Sequence, residues 1–397
     1  MREKMMKVTC FMLVFIIAIT FSVLANGNSE EPAMAEEPAN VEEPVRAQSA
    51  SYYTTDVDLL GEIETRGPEG QVPVWYKELS LTEEEKEKIR KGNYTIGYSQ
   101  ICAGELNDSI GHAIEYVAED LNMKYLWAFD DLSAVNQRDN IESMLAAGAD
   151  IICALSIDPQ ISGETFRMVA EKGKTICFLS NKAPMKWKEE YTGGLVFWDL
   201  AGLGPIMAEA LNKEMGGQAK IGWVYHDANF FITNIRDDGF KAAIDKYPGM
   251  EIVYEAPWSG MESDAEDVAN AMMLKHPEIN AIYLSWAEAM MPTISTLNSM
   301  GRKGVKIVLH DLNASAAMEM IKSDDVLMIC QPASWDYGVA LTLMGCYTLL
   351  GKELPAECVV VPGLGATKDN IEEVWTRCFN EPLPTNLKKE LYKQQNK

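Results

Sequence analysis

Between Asn93 and Tyr125 the chain changes pattern twice. A short apolar run, Tyr94–Tyr98, ends in the polar and small residues Ser99–Gly104. Apolar residues then recur at Ile110, Ala113, Ile114, Val117 and Leu121. Spacings of three and four put them on one face of a helix, and Asn107 and Asp108 are its candidate N-caps. Lys124–Phe129 is apolar again. Strand, polar turn, amphipathic helix and strand make a βαβ unit. In open sheets of such units, ligands bind beyond the carboxyl ends of the strands. That rule places Ser99, Gln100 and Glu105 where a ligand sits.

The unit repeats. Further strands are predicted at Asp150–Leu155, Thr175–Leu179 and Gly194–Trp198, with helices at Gln137–Ala147 and Gln160–Glu171. After a helix at Asp199–Met215 the alternation restarts. Strands fall at Lys220–Tyr225, Glu251–Glu255, Ala281–Ser285, Lys306–Leu309 and Val326–Ile329. The helices between them are Thr233–Lys246, Ala265–Lys275, Met290–Met300 and Ala314–Ile321, and Ser263 with Glu266 reads as a capping box. A helix, Trp335–Leu350, and a strand near Cys358–Val361 close the pattern. The strands are apolar almost throughout rather than alternating, which suits parallel strands covered on both faces. Two successive sets of βα units predict an α/β protein of two doubly wound parallel-sheet lobes. The rival, a barrel of eight units, needs fewer strands than the chain offers.

The first 25 residues read as an export signal. Arg2, Lys4 and Lys7 precede the apolar run Val8–Leu24, and Val23-Leu24-Ala25 is an acceptable cleavage site. An uncleaved anchor is the alternative, since the run is near the short limit of roughly 17–25 residues for a membrane span. Residues 26–51, with EEPAMAEEPANVEEPV at their centre, cannot bury apolar surface and are expected to form an extended, disordered linker. Residues 52–92 form an N-terminal extension. It ends in a short helix within SLTEEEKEKIRKG, with a capping box expected at Ser80 and Glu83.

The formal net charge is −24. A surface so acidic repels nucleic acid and anionic lipid, and neither partner is expected. Cys102, Cys153, Cys177, Cys330, Cys346, Cys358 and Cys378 follow the leader. Several lie in apolar runs and read as buried thiols; one disulfide, Cys358 with Cys378, stays open. Neither CxxC nor paired His spacing is present, so no metal and no cofactor is expected. The sequence also lacks GxSxG, HExxH, GxxxxGK[ST] and a strand–helix GxGxxG, which argues against an enzyme.

Several segments in order resemble one family. TIGYSQ is similar to its first strand, NIESMLAAGADIICAL to its second helix and third strand, and NIRDDGFKAAI to the helix that opens with a ligand-binding Arg. HPEINAIYLSWAEAM, KIVLHDLN and LMICQPASWDYG resemble segments that end at the cleft, at a ligand-binding Asp and at the hinge. The family is that of periplasmic sugar-binding proteins of ABC transporters, of the ribose-binding type. The resemblance implies two discontinuous lobes, 93–198 plus 332–361 and 199–331 plus 362–380, with a three-segment hinge near Trp198, Gln331 and Val361. It implies ligand contacts from Arg236, Trp286, Asp311 and Gln331, and from Ser180 and Asn181 after the fourth strand. The family often carries an aromatic pair where Gly104, Glu105 and Leu106 stand, and Asp-Arg where Ser180-Asn181 stand. Another sugar or polyol therefore fits as well as ribose.

A neutral sugar offers hydroxyls that donate and accept, plus one apolar C–H face. Its site needs carboxylate or amide acceptors, a donor fork and an aromatic plate. Asp311 and Glu288 supply acceptors, Arg236 the fork, and Trp286 or Trp198 the plate. Plain structural roles compete for each. Asp311 or Asn313 could cap the helix at Ala314, and Glu288 could be a helix-start charge. Arg236 could be a solvated helix residue, Trp286 core packing, and His310 is read as structural. The expectation is a monomeric, extracytoplasmic receptor that closes by hinge motion on a small neutral sugar or polyol and delivers it to the permease of an ABC transporter. The alternative is a receptor that presents its ligand to a chemoreceptor or sensor kinase. A DNA-binding regulator built on the same lobes is disfavoured by the missing basic module.

Overall fold

The computed structural model describes residues 52–54, 62–227 and 230–396. The expected leader and Glu-Glu-Pro linker lie outside those residues. The first elements are β1 (Val74–Trp75), α1 (Glu83–Gly92), β2 (Thr95–Gln100), α2 (Glu105–Asp120), β3 (Lys124–Phe129), α3 (Ala134–Ala146), β4 (Ile151–Ala154), α4 (Pro159–Glu171), β5 (Thr175–Leu179) and β6 (Gly193–Trp198). The chain continues through α5 (Leu200–Glu214), β7 (Ala219–His226), α6 (Phe231–Ile244), β8 (Met250–Trp258), α7 (Glu262–Lys275), β9 (Ala281–Leu284), α8 (Met290–Ser299), β10 (Lys306–His310), α9 (Ala314–Lys322) and β11 (Val326–Pro332). Last come α10 (Ser334–Leu349), β12 (Cys358–Val361), β13 (Gly363–Ala366), α11 (Ile371–Phe379) and α12 (Thr385–Gln395).

Two open sheets result, not a barrel. The first has the order β1-β12-β6-β5-β4-β2-β3 and is parallel throughout. The second has the order β13-β11-β10-β9-β7-β8 and is parallel except for β13, which runs antiparallel to β11. Both faces of the inner strands are covered, as their apolar composition requires. Ile96, Tyr98, Ile151, Cys153, Cys177 and Leu179 point to one hydrophobic cluster. The alternate residues Ile152, Ala154, Ile176, Phe178, Leu195 and Phe197 point to another. The edge strands depart: β3 and β8 carry exposed residues, and Trp127 on β3 is 55% exposed.

The chain passes between the sheets three times, after β6, after β11 and after β12. The crossings are bonded to one another. Asp199 N donates to the Val361 carbonyl at 3.0 Å, and Ala333 N to the Pro362 carbonyl at 2.9 Å. One cluster runs through this hinge from α2 and α10 on the first sheet to α5 and α6 on the second. The α5–α6 contact is close because it is made backbone to backbone: a Cβ on Gly204 would lie 2.3 Å from the Gly239 carbonyl oxygen.

Several local expectations are corrected. The capping box of α1 is Thr82 with Glu85, not Ser80 with Glu83; the Ser80 backbone is held by the Tyr347 hydroxyl instead. Helix α2 starts at Glu105 behind Gly104, so Asn107 and Asp108 lie inside it and are not caps. Asp108 accepts from the Gln100 amide at 2.7 Å. Helix α7 starts at Glu262 behind Met261. Ser263 and Glu266 therefore lie inside it and form no capping box. No disulfide joins Cys358 and Cys378. All seven described cysteines are free, with Cys358 in the first sheet and Cys378 on α11 in a different core. The strands β1 and β13 are too short to show a period. Helices α11 and α12 do carry one, and went unread.

Replacing Gly204 with Ala should force α5 and α6 apart. The expected cost is about 1–3 kcal/mol of stability, the usual range for overpacking. A urea denaturation midpoint unchanged by Gly204→Ala would contradict the close approach.

Candidate ligand-binding site

Helix α6 carries a guanidinium into the floor of the second lobe. Arg236 is 1% exposed, and a buried charge needs partners. Its Nη2 donates to the Ser285 carbonyl. Its Nη1 lies 3.4 Å from both carboxylate oxygens of Asp311, and its Nε is 3.9 Å from Asp237. Nε itself has no hydrogen-bond partner. Asp237 is saturated as an acceptor: from His226 N at 2.9 Å, from the Tyr283 hydroxyl at 2.5 Å and from the Ser285 hydroxyl at 2.9 Å. Those bonds fasten α6 to the ends of β7 and β9. Burial holds the carboxyls of Asp237 and Asp311 above the usual range, and Arg236 works against that shift.

Around this floor stand the residues that follow the strand ends. Trp286 lies after β9, with the His226 ring 4.4 Å away, the Trp258 ring edge-on at 5.5 Å and the Arg236 guanidinium 6.0 Å from its centroid. Glu288 opens to solvent at the rim. Shielding by the surrounding protein, then repulsion from Asp311, raises its carboxyl above the usual range. Asp311 follows β10 in the left-handed region, φ 73°. Ser180 after β5 is left-handed too, φ 58°. Such backbone costs about 1–3 kcal/mol for a residue that is not glycine, and it concentrates at functional sites.

The first lobe meets this surface through the loop after β2. The Glu105 carboxylate accepts from Ala314 N, at the start of α9, at 2.9 Å. Cys102 sits near Glu288 and Asp311; burial first and then those two carboxylates push its thiol up to about 11. Arg236, Trp286, Glu288 and Asp311 are thus brought together, and Glu105 reaches across to the start of α9 beside them.

The remaining expected residues are tied into their own surroundings. The Ser99 hydroxyl donates to Asp130 at 2.7 Å, and Asp130 also accepts from Gln137 and Asn140. The Gln100 amide is shared among Asp108, the Cys102 carbonyl and the Trp127 indole. The Ser180 hydroxyl is 2.5 Å from that of Tyr337. Gln331 is fully buried; it accepts from Leu312 N at 2.7 Å and donates to Ser334 at 2.9 Å, tying the Asp311 loop to the second crossing. Asn181 keeps a buried Oδ1 without a partner. Asn313, not Asp311, caps α9, accepting from Ala316 N at 2.8 Å. His226, Asp237 and Cys102 were missed. Asp237 beside Arg236 was the one visible signal; the other two show nothing but a place near a strand end.

Two open parallel sheets, three bonded crossings and a polar floor at the strand tips define a two-lobed binding protein. Residues 105–353 match the periplasmic binding protein domain, and the chain belongs to that family. A D-ribose/D-allose-binding protein of Pseudomonas aeruginosa is 24% identical over 208 residues; the match covers 50% of this chain and 62% of that protein, less than two thirds of it. A periplasmic ribose ABC transporter protein of Conexibacter woesei superposes with a TM-score of 0.65 at 17% identity, covering 73% of this chain and 98% of its own. A solute-binding protein of Bacillus halodurans with bound myo-inositol does so with a TM-score of 0.61 at 17% identity, covering 72% and 98%.

His310 is buried beside Tyr283, and burial together with Arg236 holds its imidazole well below the ordinary 6.5. His226 shifts in the same direction for the same causes. The unfolded chain therefore takes up protons below pH 6.5 that the folded one refuses, and stability should fall as pH drops from 6.5, by at most about 1.4 kcal/mol per pH unit for each full proton. Urea denaturation at pH 7 and pH 5.5 should show this loss, and His310→Gln should reduce it. An equal loss in the variant would remove His310 as its source.

Proposed function

We propose that this protein captures a small uncharged sugar or polyol in the cleft between its lobes, outside the cytoplasm, and presents the closed form to the permease of an ABC transporter. The observation that carries this reading is the assembly of one neutralised guanidinium, two carboxylates and an indole at the strand tips of the second lobe, facing the Cys102–Glu105 loop of the first. Carboxylates accept strongly from adjacent hydroxyls, the fork of Arg236 donates, and Trp286 offers a plate for a C–H face. With Arg236 already paired, Glu288 and Asp311 leave the floor negative. An acid sugar would be repelled there and a neutral polyol would not. The names of the relatives support the class: ribose or allose in one and myo-inositol in another.

The lobes in this reading are 93–198 with 332–361, and 199–331 with 362–380, each built on one sheet. Arg236, Asp311, Glu288 and Trp286 contact the ligand, and Asn181 contributes its orphaned carbonyl. Ser99, Gln100, Ser180 and Gln331 hold the loops that carry the contacts, and Glu105 latches the lobes. The protein acts as a monomer and catalyses nothing; it binds and releases. The leader exports it.

A thermal-shift screen should find neutral monosaccharides or polyols that raise the melting temperature, since a ligand at about 100 times its Kd adds roughly 2.7 kcal/mol. The matching uronic acids should give no shift. Asp311→Ala and Arg236→Ala should each abolish the shift found. No stabilisation by any neutral member, or full stabilisation of both variants, would remove this reading.

A further inference from the structure

The family match begins at residue 105, and the solved relatives, spanned almost end to end, leave more than a quarter of this chain unmatched. The described residues before Asn93 lie outside the family match, and several of their bonds converge on the hinge. Thr65, 1% exposed, donates from its backbone N and its hydroxyl to Asp199 Oδ1 at 3.0 and 2.6 Å. Its hydroxyl oxygen also accepts from Ala201 N at 2.9 Å. Asp199 is the first crossing, and Ala201 lies in the first turn of α5, which packs on the second sheet. Asp199 precedes that helix without capping it; Thr65 supplies the acceptor from outside.

The same stretch then anchors in the first lobe. Gln71 donates to Glu357 at 2.9 Å, and Lys182, directly after Asn181, bridges Glu69 and Glu357 at 3.0 Å each. β1 pairs with β12, the strand that leads into the third crossing. Thr54 makes a second bridge. Its backbone N donates to Asp336 at 2.7 Å, and its hydroxyl lies 3.0 Å from Asp336 and 2.9 Å from the Arg377 carbonyl. Asp336 opens α10 of the first lobe after the second crossing. Arg377 is on α11, whose apolar face belongs to the core of the second lobe.

Rotation of one lobe against the other must be absorbed by a few residues at the crossings. A group bonded to both sides of a crossing opposes that rotation. We infer that Thr54 and Thr65 are positioning residues for ligand binding: the two threonines brace the hinge from outside the family match, limit opening of the cleft and so slow release of the ligand. The brace acts through the lobe angle and touches no ligand. The rate part of this inference rests on the proposed function; the angle part does not.

The test places spin labels at two exposed positions, Glu142→Cys on the first lobe and Glu266→Cys on the second, and measures their distance distribution by pulsed electron resonance without ligand. Thr54→Val with Thr65→Val should move the distribution to longer distances and broaden it. Release of a neutral sugar found in the screen should quicken by about tenfold, the equivalent of one or two lost hydrogen bonds. A lowered melting temperature with an unchanged distance distribution would overturn the inference and leave the two threonines a purely stabilising role. Should the double variant not fold, Thr54→Val alone carries the same measurement. A protein that binds no sugar at all refutes the proposed function but leaves the distance measurement decisive for the brace.

Discussion

A guanidinium withdrawn from water sets the terms for the second lobe. Arg236 is almost wholly buried, and an unpaired charge there would cost several kcal/mol. Its neighbours answer that cost. Asp311 faces it, the Ser285 carbonyl accepts from it, and Asp237 stands behind it, itself saturated by His226, Tyr283 and Ser285. These groups come from α6 and from the ends of β7, β9 and β10, so the network fixes how helix and strands meet. It also holds Asp311 in a left-handed conformation at the strand end. The same pairing that makes burial tolerable thus shapes the cleft floor.

The hinge has a comparable economy. Three crossings could move independently, yet Asp199 is bonded to Val361 and Ala333 to Pro362. A hydrophobic cluster passes through the same place, so neither lobe has a wholly private core. The first crossing is also bonded from the side by Thr65. Residues 62–92 are accordingly part of the folded body. Strand β1 extends the first sheet beyond β12, and Tyr52 and Thr54 lie against α2, α10 and α11.

The site was legible to different depths. Arg236, Trp286, Glu288 and Asp311 follow from the rule that ligands gather at strand ends and from the family resemblance, and they do converge. Ser99, Gln100, Ser180 and Gln331 satisfy the same rule. Their polar atoms nevertheless meet Asp130, Asp108, Tyr337 and Leu312 within the protein. Sequence position says that a side chain is near the cleft; it does not say whether a neighbour has already taken its hydrogen bonds. His226 and Cys102 were invisible for the opposite reason, since nothing in their local pattern distinguishes them. The caps failed by two to four residues because a helix start is settled by the turn before it, here Gly104 and Met261.

The alternation of apolar runs and amphipathic stretches determined by itself that this chain makes parallel sheets covered on both sides, and its two successive sets determined two lobes. Period and composition are local quantities, and burial on two faces demands nothing more than apolar residues at every strand position. Tertiary structure alone decided which polar groups meet in the cleft, that Cys358 and Cys378 stay apart, and that Thr54 and Thr65 bond to the crossings. Each of these depends on contacts between residues tens to hundreds of positions apart. A one-dimensional pattern carries no record of such meetings.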